Sequence, residues 1–156
     1  PQPAAKPAAA PAQEVPELRV MLYENNGALR DIYSFELKKC ARDAAIKGME
    51  DLQMVCTADR AECQKTLEAK GCDVAIFDLD GLKAEDLQLI EQVRNDGRFS
   101  WLPFIAIGVS KAGFHSSANS MFMKKPLPMA HLFRSLCTLM TFKRAAATAG
   151  DKKNSN

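Results

Sequence analysis

The 156-residue chain has little of what zinc sites, disulfide frameworks and membrane spans require. It contains only five cysteines and two histidines, and no cysteine pair has Cys-x-x-Cys spacing, which argues against a zinc site. An odd number of cysteines suits a reducing compartment, so we expect a cytoplasmic protein. The longest apolar-rich stretch, Trp101 to Val109, is interrupted by Pro103 and Gly108 and is far shorter than the roughly 20 residues of a membrane span. We therefore expect no membrane insertion.

The chain also lacks a strong excess of either charge. The 21 Lys and Arg residues against 19 Asp and Glu residues give a formal net charge of +2. A few basic residues near the end of the chain, such as Lys143 and Lys152, form a weak electrostatic footprint, so we expect no nucleic-acid partner. Apolar residues make up 47% and charged residues 26%, which is typical of one folded globular domain.

Composition changes at both ends of the chain. Proline and alanine dominate residues 1–16, which predicts a semi-rigid linker. Because the chain starts at Pro1 rather than Met, we expect a fragment of a longer protein with other domains attached. Apolar periodicity ends near Arg144, so we predict a folded domain over residues 17–144 and a disordered tail over residues 145–156.

Short apolar runs alternate with amphipathic segments between these ends. The predicted strands are Leu18–Tyr23, Leu52–Cys56, Asp73–Asp78, Leu102–Ile107 and Met121–Met123. The predicted helices begin near Ala28, after a cap at Thr57 or Asp59, near Ala84 and near Met129, the last ending at Phe142. Strands that are apolar on both faces, separated by such helices, predict a parallel sheet covered on both sides. Right-handed crossovers then give an α/β doubly wound five-stranded sheet, in the order 2-1-3-4-5.

Polar side chains stand at the ends of the predicted strands, where a doubly wound sheet binds its ligands. Glu24 follows the first strand, Asp78 ends the third and Lys125 follows the fifth. Two carboxylates suit a Mg²⁺ ion that keeps several waters. Asp78 has the chemistry of a nucleophile toward a phosphoryl group, and Lys125 would pair with the added phosphoryl oxygens.

These segments resemble the receiver domains of two-component response regulators. The resemblance is carried by Val20-Met-Leu-Tyr-Glu24-Asn25, Val74-Ala-Ile-Phe-Asp78, Leu102-Pro-Phe-Ile-Ala-Ile-Gly108 and Met123-Lys-Lys125-Pro126. It covers about Leu18 to Leu139 and implies the flavodoxin-like receiver fold. The segment from Lys111 to Asn119 is too short for the usual fourth helix with its loops, so we expect that helix to be shortened.

The resemblance implies a signalling module rather than an enzyme. Asp78 would accept a phosphoryl group from a histidine kinase or phosphotransfer protein, and the signal would pass to an attached or partner domain. Glu24, Asn25 and Asp78, with the backbone carbonyl of Asp80, would hold Mg²⁺. Lys125 would contact the phosphate, and the peptide bond before the following proline would be cis.

Two departures from the family pattern leave an alternative open. Asn25 stands in place of a second acid, and Gly108 stands where the family usually has Ser or Thr. In this alternative, the chain would be a degenerate pseudo-receiver that acts as a phosphorylation-independent interaction or homodimerisation module. Candidate exposed aromatic residues near the fourth and fifth strands are Trp101, Phe104, Phe114 and Phe122.

The run Phe77-Asp78-Leu79-Asp80-Gly81 also resembles the first motif of haloacid-dehalogenase-type phosphatases. In that family one aspartate is the nucleophile and the next is the acid/base. That motif closes the first strand of its fold, whereas here it closes the third predicted strand, and no later acidic cluster offers the remaining metal ligands. The context therefore favours the receiver interpretation.

Overall fold

The computed structural model describes residues 18–46, 49–111, 114–117 and 119–153. It describes the burial and contacts of side chains as far as Thr141. The predicted linker over residues 1–16 lies outside the described residues. No helix in these described ranges is both long and apolar enough to span a membrane.

Among the residues that the structure describes, five strands form one sheet. They are β1 (Leu18–Tyr23), β2 (Leu52–Thr57), β3 (Val74–Asp78), β4 (Phe104–Gly108) and β5 (Ser120–Lys124). Their order is β2-β1-β3-β4-β5, and every neighbouring pair is parallel, which confirms the predicted doubly wound topology. Every residue of β3 and β4 is buried, because helices cover both faces of the sheet.

In the described part of the chain, four α-helices connect or follow the strands. They are α1 (Gly27–Ala44), α2 (Arg60–Glu68), α3 (Ala84–Asn95) and α4 (Met129–Lys153). The side chain of Asn26 caps α1 by accepting a hydrogen bond from the Leu29 amide at 3.2 Å. Asp59 accepts from the Glu62 amide at 2.9 Å, so Asp59 rather than Thr57 is the cap of α2.

The sheet separates two apolar layers. On one face α1 and α4 pack against the strands, with Leu37 and Leu136 fully buried. On the other face α2 and α3 pack around Phe77. Because side chains alternate along a strand, Ile76 points into the first layer and its neighbour Phe77 into the second. This two-sided packing fixes where each strand ends, and therefore where the polar residues that follow it lie.

Helix α4 is longer than the sequence pattern predicts. It continues to Lys153, beyond the predicted end at Phe142, so the prediction of a disordered tail is wrong from Ala145 to Lys153. The prediction relied on the loss of apolar periodicity. The residues concerned include four alanines, which have the highest intrinsic helix propensity and need no buried face to favour a helix. Residues 154–156 lie outside the described part of the chain.

The connection from β4 to β5 contains no helix in residues 109–111, 114–117 and 119. Phe114 lies there with only 5% of its surface exposed, in an edge-to-face contact with Phe104 at 5.9 Å between ring centroids. A tilted contact at 6.2 Å joins Phe114 to Phe122. The prediction that Phe104 and Phe114 are exposed is therefore wrong, because both rings fill the second apolar layer.

Candidate functional site

Three strand ends bring the predicted site residues to one edge of the sheet. Glu24 follows β1 directly, and its amide donates to the carbonyl oxygen of Thr57 at 3.3 Å. Asp78 is the last residue of β3. Lys125 follows β5, and its amide donates to the Gly108 carbonyl oxygen at 2.9 Å, which fixes Lys125 beside the end of β4. The Lys125–Pro126 peptide bond is cis, as the resemblance implied.

The carboxylate of Asp78 is fully buried and surrounded by donors. The ammonium group of Lys125 donates to both of its oxygens, at 2.9 Å to Oδ1 and 2.7 Å to Oδ2. Oδ1 also accepts from the Asp80 amide at 3.0 Å, and Oδ2 accepts from the Tyr33 hydroxyl at 3.1 Å. A carboxylate with no exposed surface is tolerated here because a cation and two further donors compensate its charge.

Tyr33 is a site residue that the sequence analysis missed. It lies on the buried face of α1, where its helical spacing predicts only a core position. The available signal was the position of α1, which begins three residues after Glu24 and so places its first two turns over the ends of the strands. A tyrosine there has a polar tip that needs a partner when buried, and Asp78 provides it.

Glu24 is buried, with one carboxylate oxygen satisfied and the other not. Oε1 accepts from the Asn26 amide at 2.9 Å, whereas Oε2 has no hydrogen-bond donor among the described residues. Burial, followed by the interaction with the neighbouring Asp78 carboxylate, raises the pKa of Glu24 to about 7. The Asn26 amide and the charge of Lys125 oppose this rise. Near neutral pH the Glu24 carboxyl group therefore stays partly protonated unless a cation lies beside it.

Lys125 is the cation that joins the acids of the site. Its ammonium nitrogen lies 3.0 Å from Oδ2 of Asp80 in addition to its contacts with Asp78. Burial lowers the pKa of Lys125, but the hydrogen bonds to Asp78 and Asp80 outweigh burial and hold the pKa above its ordinary value. Arg30 lies on α1, as Tyr33 does. Its guanidinium group donates a hydrogen bond to the backbone carbonyl of Glu24 and adds positive charge at the mouth of the site.

Asn25 is placed at the rim rather than among these groups. Its side chain is exposed, and its amide nitrogen donates to the Gly81 carbonyl oxygen at 3.4 Å. The structure thus brings Glu24, Asp78, Asp80 and Lys125 together and leaves Asn25 outside their hydrogen bonds.

The residues present fit a hard divalent cation. The unsatisfied Oε2 of Glu24 next to a second carboxylate is the donor chemistry that Mg²⁺ prefers, with water completing its shell. The described part of the chain contains no group of three acidic, histidine or cysteine side chains arranged to hold a metal. A bound Mg²⁺ would therefore rely on two carboxylates together with neutral protein oxygens and water.

Comparison with known structures identifies the fold. A sensor protein from Polaromonas sp. JS666 matches with a TM-score of 0.65 and 17% identity, over 82% of this chain and 99% of that one. The chemotaxis response regulator CheY4 of Vibrio cholerae matches with a TM-score of 0.58 and 16% identity, over 80% and 99% of the two chains. A CheY-like response regulator receiver domain from Methylobacillus flagellatus matches with the same TM-score, identity and coverage.

No protein-family model matches the chain, and no curated protein matches its sequence. At the identities of the structural matches, the likeness shows a shared fold. The chain has the five-stranded receiver fold, as the sequence predicted.

Proposed function

We propose that this chain is a receiver domain of two-component signalling, which accepts a phosphoryl group on Asp78 from a histidine kinase or phosphotransfer protein. The observation that carries the proposal is the convergence of the Glu24 and Asp78 carboxylates with the Lys125 ammonium group at one edge of the sheet. The receiver fold supports it, since this edge is where such sheets bind ligands. The domain would act in the cytoplasm and pass the signal to an attached or partner domain.

The proposed reaction is a phosphoryl transfer between side chains. A carboxylate oxygen of Asp78 attacks the phosphorus of a phosphohistidine, a P–O bond forms and the P–N bond breaks with its electron pair on the imidazole. The products are an aspartyl phosphate and a histidine, which takes up a proton from solvent. Asp78 has no exposed surface, so the groups above it must move aside before the donor reaches it. Lys125 already contacts both carboxylate oxygens and would then pair with the phosphoryl group.

We further propose that Mg²⁺ binds between Glu24 and Asp78. The unsatisfied oxygen of Glu24 supports this assignment, and the backbone carbonyl of Asp80 and the amide oxygen of Asn25 are the proposed additional ligands. When bound, the ion would screen the negative charges that meet as the phosphoryl group approaches. Asn25 brings a neutral oxygen in place of a charged one, so we expect weaker binding than at a site with two consecutive acids.

A titration with Mg²⁺ and beryllofluoride, a mimic of the aspartyl phosphate, tests the proposal. We expect saturable shifts of the Glu24, Asp78 and Lys125 signals in NMR spectra of the wild type, and none in Asp78→Asn. Asp51→Asn is the matched control, because Asp51 is exposed at the opposite edge of the sheet, just before β2. Its response should equal that of the wild type.

Two results would overturn the proposal. One is the absence of any response in the wild type, which with concentration-dependent self-association would support the phosphorylation-independent interaction module instead. The other is an equal response in Asp78→Asn, which would place the anion elsewhere on the domain.

A further inference from the structure

The carboxylate of Asp80 bridges the ends of two strands. Its Oδ2 lies 3.0 Å from the Lys125 ammonium nitrogen, just past β5. Its Oδ1 accepts a hydrogen bond from the backbone amide of Val109, just past β4, at 3.2 Å. An acidic side chain in the loop after β3 is thus bound by one charged and one neutral donor at the mouth of the site.

Gly108 makes room for this arrangement. A Cβ atom added at position 108 would lie 3.3 Å from Oδ1 of Asp80 and 3.4 Å from Cβ of Leu79. Both distances are at the tight end of van der Waals contact, so a side chain at this position and the present position of the Asp80 carboxylate compete for the same space. The absence of a side chain at Gly108 therefore leaves the space that the Asp80 carboxylate occupies.

The donors that hold Asp80 are those that an anion on Asp78 would use. Lys125 contacts Asp78 and Asp80 at once, so a phosphoryl group attached to Asp78 lies within reach of the same ammonium group. The Val109 amide donates to the other carboxylate oxygen of Asp80, so both donors converge on the Asp80 side chain. The mouth of the site thus has the donors of an anion pocket, and the Asp80 carboxylate occupies that pocket.

We propose that the Asp80 carboxylate is a built-in ligand of this anion pocket, which must leave before a phosphoryl group or its mimic can take its place. The inference rests on the proposed function for the identity of the natural anion, whereas the pocket and its occupant are defined by Lys125, Val109 and Asp80 alone. The Asp80 side chain is 34% exposed, so it has solvent to move into.

This exchange gives the domain two states with different contacts. In the first, Asp80 ties the end of β4 to Lys125. In the second, an anion of about −1.5 to −2 charges takes both donors, and repulsion moves Asp80 outward. An anion shifts such an equilibrium only by its differential interaction with the two states. Here the difference is the exchange of partners at the Val109 amide, which needs no hydroxyl group at position 108.

The experiment compares anion affinity in Asp80→Ala, Asp80→Asn and the wild type, followed by the NMR signals of the Val109 amide and the Lys125 side chain. The probes are Mg²⁺ with beryllofluoride, and inorganic phosphate alone. Both substitutions keep the backbone carbonyl of Asp80, which is the proposed metal ligand. Removing the competing charged hydrogen bonds should raise the affinity for each anion about tenfold in Asp80→Ala. The increase should be smaller in Asp80→Asn, whose side-chain amide oxygen can still accept a hydrogen bond from the Val109 backbone amide.

Glu85→Gln is the matched control, because it removes one exposed carboxylate at the start of α3, five residues further along the chain. It should leave the anion affinity and the ligand-free Val109 signal unchanged. The inference is overturned if Asp80→Ala binds anions no more tightly than the wild type, or if Glu85→Gln raises the affinity equally, which would show a general effect of charge.

The outcomes also separate this inference from the proposed function. If no variant responds to Mg²⁺ with beryllofluoride while inorganic phosphate saturates the Val109 signal in Asp80→Ala alone, the proposed function fails and the anion pocket stands. If neither anion binds any variant, both are wrong.

Discussion

The hydroxyl group of Tyr33 on α1 donates a hydrogen bond across 3.1 Å to Oδ2 of Asp78 at the end of β3. Burial, and then the charge of Asp78, raise the pKa of Tyr33 to about 12, so the phenol stays protonated and remains a donor throughout the neutral range. The bond ties the helix that follows Glu24 to the proposed phosphoryl acceptor, and it occupies an oxygen that Lys125 also contacts.

Tyr33→Phe should therefore release Asp78 while keeping the aromatic ring in the core. We expect a loss of about 1 kcal/mol in the free energy of unfolding, measured in urea, since one hydrogen bond to a buried acceptor is removed. We also expect a larger response to Mg²⁺ and beryllofluoride, because Asp78 then has one donor fewer to give up.

Tyr23→Phe is the matched control for this substitution. Tyr23 is buried and donates to the buried Asp86 at 2.6 Å, on the other side of the sheet from Tyr33. The control should lose similar stability and keep the wild-type response. Equal responses of the two variants would contradict a role of Tyr33 at the site.

Lys125→Met should leave the buried Asp78 without its cation. We expect a loss on the order of 3 kcal/mol in the free energy of unfolding, because removing one partner of a buried ion pair leaves an uncompensated charge. In the double variant with Asp78→Asn the loss should be smaller than the sum of the two single losses, which urea unfolding of the four proteins measures. Additive losses would show that the two groups do not interact.

Glu24 makes stability depend on pH in a defined direction. Its pKa is about 7 in the folded domain against an ordinary value of 4.5, so its contribution is fully present below about pH 4.5 and is lost as the pH rises through 7. In the presence of a chelator, Glu24→Gln should remove this part of the decline, because glutamine stays neutral.

Unfolding in urea at a series of pH values between 4.5 and 7 measures this effect as the difference between the wild type and Glu24→Gln. As the pH rises, the free energy of unfolding of Glu24→Gln should increase relative to that of the wild type. Glu85→Gln controls for the loss of one carboxylate in general. A constant difference across this window would show that Glu24 ionises without cost in the folded domain.

Gly108→Thr should strengthen the response to an anion. The added Cβ lies 3.3 Å from Oδ1 of Asp80, so the acid must shift, and the new hydroxyl group can follow the anion. Gly108→Ala separates the two effects, because it displaces Asp80 without supplying a hydroxyl group. We expect the shifts induced by Mg²⁺ and beryllofluoride at the end of β4 to increase in the order wild type, Gly108→Ala, Gly108→Thr. Shifts in both variants as small as in the wild type would contradict this coupling.

The order of the strands was predictable because local patterns and topology agree. Each of β1, β3 and β4 is a short apolar run, and the right-handed crossover rule leaves few ways to arrange such strands. The end of α4 was not predictable from periodicity, since the alanines after Arg144 favour a helix without a buried face. The burial of Phe114 depends on contacts with Phe104 and Phe122, which lie on two different strands and which no local sequence pattern indicates.

The site was predictable as far as strand ends define it. Glu24, Asp78 and Lys125 each end or follow a strand, so the topology alone brings them together. Tyr33 and the contact between Asp80 and Val109 depend on side-chain directions, which the sequence pattern does not specify. The space that Gly108 leaves for Asp80 becomes visible only when the backbone positions are known.

The most direct measurement of the central claim is the identification of the residue that carries a phosphoryl group. The wild type, Asp78→Asn and Asp51→Asn are incubated with acetyl phosphate and Mg²⁺. The intact masses are determined before borohydride treatment. The modified residue is then located as homoserine, which borohydride forms from an aspartyl phosphate with loss of phosphate. We expect one phosphoryl group, on Asp78, in the wild type and in Asp51→Asn, and none in Asp78→Asn or without Mg²⁺. An unmodified wild type, or modification that persists in Asp78→Asn, would contradict the account.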